Sequence, residues 1–140
     1  MAPVDGAAPL PSGQVVVSIP NGASCQFDPE LRSVGAARRF ALDTASQWGV
    51  APNDLALVVG ELAANAVVHG HTPFTVSLSV HGRRVSIEVC DAHAGPVEVC
   101  AASPEAQSGR GLVIVDRVAT NWGIRPLSAG GKVVWAELGD

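Results

Sequence analysis

The chain has no apolar run approaching the ~20 residues of a membrane span. Its first residues, Met1-Ala-Pro-Val-Asp-Gly-Ala-Ala-Pro-Leu10, carry neither a basic region nor an apolar core, so they do not read as a secretory signal. Charged residues are scarce, at 16% of 140 positions, and the net charge is −4. The basic residues are scattered, with only Arg38-Arg39 and Arg83-Arg84 adjacent. No basic stripe exists to neutralise phosphates, which argues against direct nucleic-acid binding or an anionic membrane surface. The three cysteines, Cys25, Cys90 and Cys100, are odd in number and lack the spacing of a zinc site. They are expected to be reduced thiols in a cytoplasmic protein. There is no internal repeat and no recognisable Ser/His/Asp spacing.

What is present suits a globular protein: 47% of residues are apolar, and a chain of this length can bury a core without a disulfide or metal. Residues 1–13, rich in Ala, Pro and Gly, read as a disordered tail, followed by one domain over 14–140. Val15–Ile19 reads as a strand ended by Pro20-Asn-Gly22. Asp28-Pro29-Glu30 has the form of a helix start, and Leu31, Val34, Ala37, Phe40, Ala41, Ala45 and Trp48 follow helical spacing up to Gly49. Pro52 opens a second helix that stops at His69-Gly70, with Gly70 as a left-handed terminator and His69 as an imidazolium favouring the dipole. That helix is apolar nearly all round, so it should be central.

Two alternating runs, 75–80 and 84–89, form a hairpin about His81-Gly82-Arg83. Residues 92–109 show no period and read as a long, functional loop. A helix over 111–119 and strands at 122–124 and 133–138 close the chain, with Trp48, Trp122 and Trp135 as core residues. The order β-α-α-β-β-loop-α-β-β predicts a two-layer α/β sandwich, with a mixed, mostly antiparallel sheet covered by helices on one face.

Three short elements can carry chemistry. Glu61 and Asn65 lie four apart, hence on one helix face. An amide oxygen suits Mg²⁺, and a carboxylate one turn away can serve as a general base. Asp91, at a strand end and followed by Gly95, can accept a hydrogen bond from an adenine amino group beside a close backbone approach. Gly109-Arg110-Gly111 precedes a helix whose N-terminal amides suit a phosphate. Alone, each fits an ordinary helix face, turn or loop; their order and the elements between them make the combination specific.

On these residues the chain resembles the GHKL (Bergerat) ATP-binding fold, and within it the RsbW-type anti-sigma factors and serine kinases of the short actinobacterial kind. The resemblance covers about Leu31 to Leu138 and rests on Val59-Gly-Glu-Leu-Ala-Ala-Asn-Ala-Val-Val-His-Gly70, Val89-Cys-Asp91, Gly109-Arg-Gly-Leu-Val-Ile-Val-Asp116, Trp122-Gly123 and Gly131-Lys-Val-Val-Trp135. It implies ATP and Mg²⁺ as cofactors. Glu61 would be the catalytic base and Asn65 the Mg²⁺ ligand. Asp91 would read adenine, and Gly95, Gly109, Arg110 and Gly111 would shape the phosphate lid. It implies as partners a sigma factor and an antagonist phosphorylated on serine, with Arg32 and Arg38 on the partner surface, and a possible homodimer. A non-catalytic ATP-binding module that sequesters a partner is the rival reading. The sequence departs from the family in having His93 for the middle glycine of DxGxG, Val133 where a threonine near the base is common, and a short lysine-poor lid.

Overall fold

The computed structural model describes residues 8–9, 14–92 and 107–139. Its elements are β1 (Ala8–Pro9), β2 (Val15–Ile19), β3 (Gly22–Phe27), α1 (Arg32–Thr44), α2 (Pro52–Gly70), β4 (Phe74–His81), β5 (Arg84–Asp91), α3 (Gln107–Val118), β6 (Asn121–Pro126) and β7 (Lys132–Leu138). The strands form one sheet in the order β1-β2-β3-β4-β5-β7-β6. Every pairing is antiparallel, where the sequence suggested a mixed sheet. Hairpins account for the β2–β3, β4–β5 and β6–β7 pairings, since each returns the chain beside itself, whereas β3–β4 and β5–β7 pair antiparallel across the intervening helices. Ala8–Pro9 lies inside the stretch read as a tail and pairs with Val15 and Val16.

Alternation along the strands divides the sheet into two faces. Phe27, Phe74, Val76, Leu78, Ile87, Val89, Val134 and Ala136 are buried on the face beneath the helices. α1 packs on α2, β3 and β4, while α2 packs also on β5, β7 and α3. Three phenylalanines link these layers: Phe27 stacks on Phe74 with centroids 5.7 Å apart and meets Phe40 of α1 at 6.1 Å. The opposite face carries a row of small or polar side chains in register, Ser24, Ser77 and Glu88, ending at Trp135 and Gly123. A Cβ on Gly123 would lie 2.7 Å from the Trp135 ring. Trp135 therefore lies over a glycine on the open face rather than in the core, whereas Trp48 and Trp122 pack against the core as expected.

The strand Gly22–Phe27 was not expected, because Gly-Ala-Ser-Cys-Gln lacks the β-branched residues that mark strands. Pro20 and Asn21 form the connecting turn, with Asn21 at φ 60°, as a type II turn requires at its third residue. The α1 start also differs. Asp28-Pro29-Glu30 precedes the helix without capping it, and the turn closes through Ser33 N–H to Glu30 O and Val34 N–H to Leu31 O. α1 ends at Thr44, short of Gly49, in a turn held by the Trp48 amide on Ala45 O. α2 matches its expected span, with Pro52 at its first turn. Its left-handed terminator is His71 at φ 58°, not Gly70. Gly70 stays helical and is buried against Asp91, which a Cβ there would meet at 3.4 Å, an ordinary contact. Among the described residues no helix is long and apolar enough to cross a membrane.

Candidate nucleotide site

The C-terminal end of α2, the end of β5 and the start of β7 converge on Asp91. In register it lies opposite Phe74 of β4 and Lys132 of β7. Its carboxylate is buried and accepts a hydrogen bond from Lys132 Nζ at 2.8 Å. A Cβ on Gly70 would stand 3.4 Å from the Asp91 Cγ, so α2 backs directly onto the carboxylate. Gly131, at φ 93°, passes so close that a Cβ there would overlap the Asp91 carbonyl. Only glycine adopts that backbone without strain. Beyond Asp91, the Ala92 amide donates to Thr72 Oγ1 at 3.2 Å, which ties the departing chain to the α2–β4 connection.

Glu61 and Asn65 lie one turn apart on the flank of α2 away from its buried face, both half-buried. Among the described residues neither side chain makes a hydrogen bond or ion pair within the protein. At about 1.5 Å of rise per residue, Asn65 stands about 7.5 Å and Glu61 about 13.5 Å along the axis from Gly70. Along its axis α2 thus spaces Asn65 and Glu61 successively from the end that packs on Asp91. The exposed apolar side chains Leu57 and Val68 share that flank of α2.

Alternation places Lys132 and Val134 on the helix side of β7 and Val133 on the other. The sequence comparison put the departure near the base at Val133. The side chain beside Asp91 is in fact Lys132, and Val133 is buried on the opposite face. Sequence reasoning missed Lys132; its signal was that it is the only lysine in the chain, placed directly after two glycines.

α3 begins at Gln107, four residues before the expected Gly111. Gly109, Arg110 and Gly111 are thus inside its opening turns rather than ahead of it. A helix starting there leaves the first four amides without intrahelical acceptors, including those of Gly109 and Arg110 but not Gly111. Gly95 and His93 lie outside the described residues, as does Cys100. Cys25 and Cys90 are free thiols. Burial pushes Cys25 up to about 11, so it stays protonated. Burial, then the charges of Asp91 and Glu88, push Cys90 up as well.

His69 differs from its expected part. Among the described residues its buried Nε2 meets no hydrogen-bond partner. Desolvation lowers its pKa from 6.5, aided by the charges of Lys132 and His71, so the imidazolium is disfavoured there. The unfolded chain takes up this proton more readily than the native one. Stability from this group is full above pH 6.5 and is lost as pH falls from there through the lower native value. Urea melts near pH 7.5 and 5.5 should show a smaller acid loss for His69→Gln than for the native chain. Equal losses would remove His69 from the account.

The two basic candidates on α1 differ in setting. Arg32 is exposed and pairs with Glu30 at 3.1 Å, a contact of the kind that contributes little to stability. Arg38 lies across the buried Gly60 of α2, where a Cβ would come within 2.6 Å of its Nε. Arg38 is therefore part of the α1–α2 seam, one residue from Glu61, as well as surface. Among the described residues no group of three or more His, Cys, Asp or Glu side chains could hold a metal ion. An Mg²⁺ ion would depend on Asn65, water and the phosphates themselves.

No curated protein sequence matches the chain. A family model for the histidine kinase-like ATPase domain matches residues 27–138, from the last residue of β3 through β7. That span contains α2 with its Glu61–Asn65 flank, the Asp91 strand end and the described part of α3, so the chain belongs to the histidine kinase-like ATPase domain family.

Proposed function

We propose that this protein binds Mg-ATP along α2 and acts as a cytoplasmic anti-sigma-type serine kinase. The observation that carries the reading is the joining of Asp91, packed on the C-terminal end of α2, with Asn65 and Glu61 on the more exposed flank of the same helix. A buried carboxylate stands at one end, and two side chains without internal partners stand at increasing distance along one helix. Adenine would sit at Asp91, its amino group donating to the carboxylate. Asn65 would hold Mg²⁺ against the phosphates, and Glu61 would orient or deprotonate the attacking hydroxyl. Bound Mg²⁺ would neutralise charge on the triphosphate, and phosphoryl transfer needs mainly such neutralisation and positioning. The amides of Gly109 and Arg110 and the Arg110 charge would add to it, with Gly95 and Gly111 allowing close approach.

The natural partners in this reading are a sigma factor and a serine-bearing antagonist, held partly by Arg32 and Arg38 on α1. Because Arg38 crosses Gly60 beside Glu61, the basic side of α1 and the proposed base share one helix seam. That seam can couple partner choice to the phosphate end. Arg32→Glu should weaken capture of an acidic partner, more so at low salt, and leave ATP binding intact. Arg38→Glu should weaken capture and also loosen the α1–α2 packing, lowering the melting temperature. Native capture by both variants would move the interface elsewhere.

The first test is thermal. Mg-ATP at a hundred times its dissociation constant should stabilise the fold by about 2.7 kcal/mol. GTP should do less, and Asp91→Asn should weaken the ATP effect. Equal shifts with ATP and GTP, or none at millimolar nucleotide, would count against the site. The rival reading, an ATP-binding module that only sequesters its partner, is favoured by one feature. The carboxylate proposed to read adenine already holds a lysine. ATP shifts without phosphate transfer to any serine-bearing partner would support it.

A further inference from the structure

Arg38 of α1 lies against Gly60, a buried residue of α2. A Cβ on Gly60 would stand 2.6 Å from Arg38 Nε, 2.9 Å from Nη2 and 3.1 Å from Cζ. The Nε–Nη2 edge of the guanidinium therefore faces the glycine, and Nη1 points away from it. Ala56 and Ala64, one turn to either side of Gly60, continue this row of small side chains. The neighbouring row of the helix surface, spaced by four in the same way, is Leu57, Glu61 and Asn65. Arg38 thus rests on the row beside the one that carries both polar residues of the proposed phosphate end. Among the described residues it makes no ion pair or hydrogen bond. By contrast Arg32, Arg84, Arg125 and Lys132 each hold a carboxylate, on Glu30, Glu137, Glu88 and Asp91. Packing alone does not call for a charge here, since α1 otherwise buries mainly Ala36, Ala37, Phe40 and Ala41.

We propose that Arg38 is a ligand of the nucleotide's terminal phosphate, seated by Gly60 so that the site distinguishes a nucleoside triphosphate from a diphosphate. This rests on the ATP reading given above. In that reading the base lies at Asp91 and the metal at Asn65, so the terminal phosphate is the group nearest Glu61. Arg38 would donate to it from the α1 side, and a diphosphate would leave the guanidinium without its partner. A guanidinium is a planar fork of donors suited to phosphate oxygens. Seating it against a glycine also lowers the rotamer freedom it must give up on binding.

An arginine can act on a polyphosphate in two other ways. A cation anywhere on α1 contributes a general field, which salt screens and which does not depend on a seat. A residue of the α1–α2 seam supports α2 whatever the ligand, so its loss would weaken both nucleotides alike. Arg32, exposed at the start of the same helix, reports the field. Gly60→Ala reports the seat. Its methyl would displace Arg38 Nε while keeping the charge on the chain, and alanine favours the helix over glycine.

The experiment measures dissociation constants of Mg-ADP and of Mg-AMP-PNP, a triphosphate whose terminal phosphate is not readily transferred. It uses the full chain, Arg38→Gln, Arg38→Lys, Gly60→Ala, Arg32→Gln, and the double variant with both Gly60→Ala and Arg38→Gln. Arg38→Gln should weaken the triphosphate by about tenfold, as loss of one charged hydrogen bond does, and leave the diphosphate at its native affinity. Arg38→Lys should keep part of the preference, because it keeps the charge without the fork. Gly60→Ala should weaken the triphosphate alone, and adding it to Arg38→Gln should change nothing further. Arg32→Gln should keep the native ratio. A folded Arg38→Gln with the native triphosphate-to-diphosphate ratio overturns the inference. Equal weakening of both nucleotides also overturns it, assigning Arg38 to the seam, as does an equal shift of the ratio by Arg32→Gln. If Arg38→Gln does not fold, Gly60→Ala decides by itself, and a native ratio there overturns the inference. If the native chain binds neither nucleotide, the ATP reading fails and takes this inference with it. If it binds both and the variants keep the native ratio, only the inference fails.

Discussion

Glu61→Gln is expected to slow transfer of the γ-phosphate from ATP to a serine-bearing partner by about 10²–10⁴-fold while changing ATP affinity little. The substitution keeps the size and polarity of the side chain and removes only its basicity. The fold should tolerate it, because Glu61 is half-buried on the outer flank of α2 and makes no internal contact that the amide would break. Asn65→Ala, one turn away, should behave differently. It would remove the oxygen proposed for Mg²⁺, so ATP binding itself should weaken, and most of that loss should vanish when binding is measured without the metal. Radiolabel transfer measured beside a binding titration separates the two. Transfer by Glu61→Gln at the native rate would strip Glu61 of its role as base. Equal losses of affinity and of rate would make it a binding residue instead.

Much of this was legible in the sequence because α2 announces itself. Pro52 fixes its start, nearly uninterrupted apolar residues mark it as central, and Glu61 and Asn65 stand out against them. The β4–β5 hairpin was equally plain, from strict alternation around Gly82, which takes φ 65° in the two-residue turn. β3 was hidden because cross-strand pairing, not propensity, makes a strand of Gly22–Phe27. In Gly22 a Cβ would overlap the Leu78 carbonyl, so that glycine is there for the approach of β3 to β4 rather than for a turn. The start of α3 was misplaced because Gly109 and Gly111 read as loop residues, and a helix can carry them at a cost of about 1 kcal/mol each. At the site, Asp91 was found through its place after a strand. Its partner Lys132 was not, since the pairing depends on a register between strands 41 residues apart. The face on which Val133 lies follows from the same register. Local sequence reports which residues could do chemistry; which ones touch is set by long-range pairing.

Phe74→Ala should be the most damaging single change to the fold, costing about 3–5 kcal/mol. Phe74 is fully buried, stacked on Phe27, and through Phe27 tied to Phe40 of α1. It is also the β4 residue directly opposite Asp91, so one side chain supports both the core and the floor of the proposed base site. Removing the ring leaves a cavity between sheet and helices that the Phe27 and Phe40 rings can fill only partly. For a chain of this size the loss corresponds to a fall in melting temperature of roughly 10 °C or more. Phe74→Leu, which keeps most of the volume, should cost about 1–2 kcal/mol. Trp135→Ala, on the open face over Gly123, should cost less than Phe74→Ala despite removing a larger ring, because Trp135 is only half-buried. Denaturant melts of the three variants give the ranking. If Trp135→Ala proves the costlier, the main core would lie on the open face of the sheet. At saturating Mg-ATP, Phe74→Leu should regain part of its lost stability through binding. Phe74→Ala should regain less than the native chain gains, since the cavity lets the backbone beside Asp91 relax away from the base. A full native increment in Phe74→Ala would uncouple the aromatic cluster from the site and leave it a purely structural support.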